Sequence, residues 1–167
     1  MINLCEFNLD SKWTLLYRAS QDGYRAEDFH SKCDGHENTL TIIKVHESLN
    51  TFGGFTQAAW SSKLHGFKID PQAFIFSLIN SYNQPCKINV DQNRIVYAIH
   101  CDPYCGPSFG VGNIHLENNC QFDKSSFAFL GDSYQHPQYS YGSREALSFL
   151  GGTPWFQISE IEVFKKE

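Results

Sequence analysis

The residues with the most chemical potential are six cysteines and seven histidines. His100, Cys101 and Cys105 give the best metal-binding pattern. A structural zinc site needs four nitrogen or sulfur ligands, usually as two close pairs. One pair is present here, and His115 and Cys120 would have to complete the set. The second pair is missing from the local pattern, so buried or loop cysteines are expected, with no metal and no cofactor. Nucleophilic catalysis needs Cys or Ser beside a His and an orienting carboxylate. Cys33 with His30 or His36 comes nearest, yet Cys33 falls on the apolar face of a short helix. No Gly-x-Ser-x-Gly elbow occurs. The glycine-rich run from Gly106 to Gly112 lacks a following Gly-Lys-Ser/Thr, and Pro107 removes an amide that a phosphate cradle would use. No catalytic residue is assigned.

Two features have the composition of a binding surface. Glu160 and Glu162 lie two apart on a strand and therefore share a face; a solvated face explains them equally well. Residues 134–141 are rich in Tyr, with Tyr139 and Tyr141 the candidate contacts, on a loop that would otherwise pack as a lid.

These groups must be positioned by a core rich in rings. The 167 residues fit one domain. Aromatics make up 15% of the chain and must fill much of its interior. Charged residues are few, at 19%, which argues against disorder. The net charge is −5 and Lys165-Lys166 is the only basic cluster, which argues against nucleic acid and anionic membrane surfaces. There is no apolar run long enough for a transmembrane helix. The chain is too large and aromatic-rich to need disulfide staples, so reduced thiols in the cytoplasm are expected.

The structural signature is Gly53, Gly54, Phe55 and Trp60. Adjacent glycines among large rings mark a β-bulge or a close approach of other backbone. They sit in the return strand of a hairpin spanning residues 39–60. Further strands are expected at 13–19 (buried on both faces), 73–79, 87–90, 94–100 and 109–116, with weaker ones at 125–130 and 133–135. A last strand spans 155–164, where the apolar phase flips near Ser159-Glu160 and demands a bulge or a change of sheet. A helix is expected over 25–32, fraying at Arg25 for want of a capping side chain. Residues 102–107 and 136–144 read as loops, and 145–150 as one helical turn. The expected fold is mainly β (α+β), a two-sheet antiparallel β-sandwich with short flanking helices.

The order and spacing of several segments resemble a TLDc domain, the domain of the oxidation-resistance proteins. They are Leu15-Leu16-Tyr17-Arg18-Ala19-Ser20, Asp22-Gly23, Asp28-Phe29-His30, Cys33-Asp34-Gly35, Thr39 to Lys44, and Gly53-Gly54-Phe55-Thr56. The distal set is Gly106 to Gly110, Tyr141-Gly142, Phe149-Leu150 and Ser159 to Phe164. The resemblance covers residues 10–167, leaves 1–9 as an N-terminal extension, and is most evident to TLDc domains of protist proteins. Arg25 departs from it, since relatives often carry a small hydroxyl residue there, and the His100 to Cys105 cluster is not part of it.

The resemblance implies a β-sandwich, a link to oxidative-stress protection, and binding to the vacuolar proton pump (V-ATPase). The expected function is a non-catalytic protein-interaction domain. Its expected location is cytoplasmic, reaching endolysosomal membranes through a protein partner. The alternatives are a thiol-based enzyme acting on peroxides, through Cys33, Cys101 or Cys105, and a glycan- or peptide-binding β-sandwich.

Overall fold

A computed structural model describes residues 2–167. Its main sheet is built from six antiparallel strands. In chain order these are β1 (Trp13–Arg18), β2 (Thr39–Val45), β3 (Thr51–Thr56), β5 (Phe74–Ile79), β6 (Cys86–Asn89) and β11 (Ile158–Lys166). Their spatial order is β1-β11-β2-β3-β5-β6. The C-terminal strand therefore sits between the first two. A second sheet contains β4 (Gly66–Lys68), β7 (Ile99–Cys101) and β8 (Ser108–Phe109) in that order. The pair β9 (Ser126–Phe127) and β10 (Trp155–Phe156) forms a third. Four short helices flank them: α1 (Ile2–Cys5), α2 (Ala19–Asp22), α3 (Ala26–Cys33) and α4 (Arg144–Ser148). The mainly β, antiparallel architecture expected from the alternation is the one observed.

The β2–β3 hairpin pairs in unbroken register, with Ile43 opposite Phe52, Thr41 opposite Gly54 and Leu40 opposite Phe55. Alternation along a strand sends the first two pairs to one face and Leu40–Phe55 to the other. Ile43, Phe52, Ile75, Ile161 and Val163 face inward and join Ile99, Phe109, Ile114 and Phe149 in the main core. Leu40, Phe55, Phe74 and Phe76 face outward and are covered by Cys5, Phe7 and Trp13. Phe7 packs edge-on against Trp13 at 4.8 Å and Phe55 at 5.3 Å.

The glycine pair does not form a bulge. The nearby register shift lies between Thr51 and Phe52, on the β5 side. Both glycines instead permit close approach. A Cβ on Gly54 would sit 2.6 Å from the Phe109 ring, and one on Gly53 would meet the Thr41 carbonyl oxygen and Phe76. Trp60 is fully buried beyond the hairpin; its Nε1 donates to Thr39 Oγ1 at 2.9 Å, and its ring packs on Phe29 and Phe109.

The phase flip at Ser159-Glu160 has both expected causes. The β11–β2 register shifts between Ile158 and Glu160, and β10, just before it, belongs to another sheet.

Other expectations need correction. β1 is an edge strand with a register shift between Leu15 and Tyr17, so Tyr17 is buried while Leu15 is exposed. Residues 95–97 form a 3-10 turn rather than a strand. Asp91 Oδ1 accepts from the Asn93 amide, the Asp91 carbonyl accepts from the Arg94 amide, and this turn overrides the strand preference of Ile95 and Val96. Residues 109–116 are not one strand. Gly110 and Gly112 take φ of 65° and 77°, and the chain folds back so that Phe109 bridges Ile114. Of residues 125–130 only β9 is strand, and residues 133–135 form none. The α3 N-terminus does not depend on a capping side chain at Arg25. The Asp28 carboxylate accepts from the Arg25 amide, and Asn118 Oδ1 accepts from the Ala26 amide at 2.9 Å.

The Gly54 contact yields a direct test. Gly54→Val forces two methyls into the Phe109 ring and is expected to lower the unfolding free energy by about 1–3 kcal/mol. The measurement is a urea midpoint; a wild-type value would show that the sheets can part without cost.

Candidate functional site

Strand register assembles the one cluster of metal-ligating groups found among the described residues. β7 and β8 pair His100 with Ser108. The turn after β8 bridges Phe109 to Ile114, which sets His115 beside Ser108 on its other side. Cys105 bridges Glu117 across the same turn. The donor atoms of His100, Cys105 and His115 all lie within 4.8 Å of one another. The Cys105 thiol is buried, whereas both imidazoles are half-buried. Ser108 Oγ lies 3.7 Å from Cys105 Sγ and 3.4 Å from His115 Nδ1. The His100 and His115 rings border a small cavity of about 180 Å³ with Phe67, Phe127 and the Gly110 to Gly112 turn.

Of the residues expected to take part, Cys101 and Cys120 are excluded. Cys101 follows His100 on β7 and so points the other way, into the main core; Cys120 is buried in that core as well. Ser108 and Glu117 belong to the cluster but were not singled out from the sequence. The readable signal for Glu117 was its two-residue spacing from His115.

Cys33 and His30 do not form a catalytic pair. His30 Nδ1 is 2.6 Å from Asp34 Oδ1 and its Nε2 is 2.9 Å from the Asp102 carbonyl oxygen. Both ring nitrogens are thus engaged in tying α3 to the 102–107 loop. Cys33 is completely buried, and that burial, with Asp34 nearby, drives its thiol far above the ordinary range. Burial also pushes up Cys5 and Cys105 to about 11 and Cys120 to about 12, and raises Cys86 and Cys101. All six are free thiols.

Glu160 and Glu162 both turn toward β1 and α2. Glu160 Oε1 accepts from the Ser20 amide at 3.0 Å, and Glu162 pairs with Arg18 at 2.5 Å. Tyr139 packs against His136, with ring centres 4.4 Å apart, and against Tyr82 and Phe149. Tyr141 is 71% exposed. Tyr134, at the start of the same segment, is instead fully buried, and its hydroxyl donates to the Ala98 carbonyl at 2.7 Å.

The largest of the described cavities, about 640 Å³, lies between α4 and the Ser81-Tyr82 turn, on the side of Tyr82 and Gly142. Arg144 and Glu145 are its charged lining residues, and Ser148 Oγ there donates back to the Arg144 carbonyl. It brings no cysteine or histidine to its wall.

With this geometry in place, comparison with known proteins adds one match. The family model described as TLDc domain matches residues 1–167. No curated protein matches the chain.

Two measurements follow from the buried groups. All six thiols are expected to react with an alkylating reagent at neutral pH more slowly than a free thiol, Cys86 leading, and to react alike in urea. One thiol faster than the free standard in the native protein would restore the nucleophile reading. Asp34 gives a pH test. Burial pushes its carboxyl up, but hydrogen bonds from Ser62 and His30 outweigh this and leave it lowered. A carboxyl lowered by folding stabilises the native state above its unfolded value, about 3.9, and loses that contribution as pH falls through the native value. Asp34→Asn is therefore expected to cost about 1 kcal/mol near neutrality, allowing for solvent screening. The gap to wild type should close as the pH falls below about 4. Denaturant melts across pH measure it.

Proposed function

The chain belongs to the TLDc domain family, and from that premise we propose that it is a non-catalytic protein-interaction domain whose partner is the vacuolar proton pump, acting in protection against oxidative stress. The observation that carries the non-catalytic reading is the burial of the thiols. A peroxide-consuming cysteine must be exposed and thiolate-rich at neutral pH. Here Cys33, Cys101 and Cys105 are all buried and all shifted toward the protonated thiol.

The recognition surface we assign centres on Tyr141. Exposed aromatic side chains supply large contact area at low entropic cost and recur at the energetic centres of protein interfaces. Tyr139, behind it, is already committed to His136 and Phe149 and serves to hold the loop. Glu160 and Glu162 lie on β11, one strand in from the edge strand β1, and are engaged with Ser20 and Arg18. The net charge of −5 speaks for a protein partner over nucleic acid. No described helix is long and apolar enough to cross a membrane. We place the chain in the cytoplasm, reaching endolysosomal membranes through its partner.

The test is capture from an extract of the native cell on the immobilised chain. Pump subunits are expected to be enriched over a heat-denatured control, and Tyr141→Ala to weaken capture about tenfold or more at an unchanged melting temperature. No enrichment over the denatured control would overturn the proposal.

A further inference from the structure

His100, Cys105 and His115 play no part in the proposed partner contact, yet three separate chain segments converge to bring them together. We propose that these three side chains bind a divalent cation of the zinc class, with a water molecule from the adjoining cavity as fourth ligand.

Distance comes first. Zinc bonds of about 2.3 Å to sulfur and 2.0–2.1 Å to nitrogen, in a tetrahedron, place the donors about 3.3–3.6 Å from each other. The three donors already lie within 4.8 Å. Closing the set requires the donors to approach by no more than about 1.5 Å. The 180 Å³ cavity that His100 and His115 border supplies the path of entry and room for the water.

Donor chemistry comes second. One thiolate and two imidazoles suit zinc and do not suit magnesium or calcium, which take oxygen ligands. His115 is arranged as a metal-bound histidine would be. Glu117 Oε1 lies 3.2 Å from its Nε2 and accepts the proton there. That tautomer leaves Nδ1 bare on the side of Ser108 and Cys105. A carboxylate behind the imidazole both fixes the ring and raises its basicity. Neither ring nitrogen of His100 has a hydrogen-bond partner among the described residues, although the ring is half-buried and packed on Phe67 at 4.8 Å. Cys105 Sγ makes only long contacts, 3.7 Å to Ser108 Oγ and 3.7 Å to the Asp102 carbonyl.

Binding must displace a proton that burial holds on the Cys105 thiol. On binding, the Cys105 S–H bond breaks, its proton leaves to solvent, and sulfur bonds to the cation as thiolate. The cation exchanges hydration waters for the three side chains and keeps one. Glu117 lies close enough to offset part of the positive charge that remains.

Cobalt(II) is the probe, because a tetrahedral cobalt–thiolate site is coloured. The folded, untagged chain is expected to bind one equivalent, with visible ligand-field bands and a near-ultraviolet thiolate-to-cobalt band, both bleached by added zinc(II). Cys105→Ser should abolish the thiolate band, and His100→Gln and His115→Gln should each weaken binding more than tenfold. Circular dichroism without metal checks that each variant folds. If Cys105→Ser does not fold, His100→Gln, altered at a half-exposed ring, carries the test. Absence of the thiolate band in wild type with excess cobalt, its survival in folded Cys105→Ser, or unchanged affinity in His100→Gln would each overturn the site.

Discussion

The distance between the six-stranded and three-stranded sheets is set where Phe109 lies on Gly54. The inner face of β3 offers no side chain at that point, and the ring fills the vacancy. Facing sheets normally pack about 10 Å apart, with side chains from both interdigitating. Here one side contributes none, so the second sheet can come close. Trp60 closes over Phe109 from one side, then Phe29 over Trp60 and Tyr17 over Phe29, each ring edge-on to the next. This run of rings joins β8, the chain beyond the hairpin, α3 and the edge strand β1. The glycine's freedom of φ is not what is used, because neither Gly53 nor Gly54 has positive φ. Its lack of a side chain is.

Seating Phe109 also orients its neighbour. Successive residues on a strand point to opposite faces. With Phe109 directed into the core, Ser108 is directed toward His100 and His115. The histidine–cysteine cluster is thus held in place from behind by the same contact that spaces the sheets. The Gly110 to Gly112 turn follows immediately and returns the chain so that His115 reaches Ser108. Local backbone and core packing together position groups that are fifteen residues apart.

The elements legible in the sequence were those whose burial follows a simple period. The β2–β3 hairpin, β5 and α3 each show one apolar pattern over enough residues to be read, and β11 revealed even its bulge as a change of phase. What stayed hidden depended on partners distant in sequence. Tyr17 and Leu15 look alike in an alternating run; only the shifted pairing with β11 decides which is buried. Residues 95–97 have β-branched and aromatic side chains, yet the Asp91 turn and the stacking of Arg94 on Tyr97 at 4.4 Å favour a 3-10 turn. Arg25 is a poor cap by type, but Asn118, remote in the chain, supplies what it lacks. Tyr134 reads as the start of a Tyr-rich recognition loop and instead plugs the core, where its hydroxyl donates to the Ala98 carbonyl.

The cluster shows the same limit at the level of chemistry. His100, Cys101 and Cys105 are conspicuous together, but strand alternation alone separates the first two. His115 and Cys120 were the residues needed to complete the set; His115 reaches the cluster because a stretch read as continuous strand is in fact a turn, while Cys120 lies in the core. The six thiols, five buried and Cys86 half-buried, are otherwise alike: removal from water opposes ionisation in each. Cys105 differs in what surrounds it. A buried thiol among apolar neighbours has no use for its proton's departure. One flanked by two imidazoles, with a carboxylate behind the second, sits where a cation can replace that proton and repay the loss of hydration. That surrounding, more than exposure or reactivity, separates a ligand from a core residue in this fold.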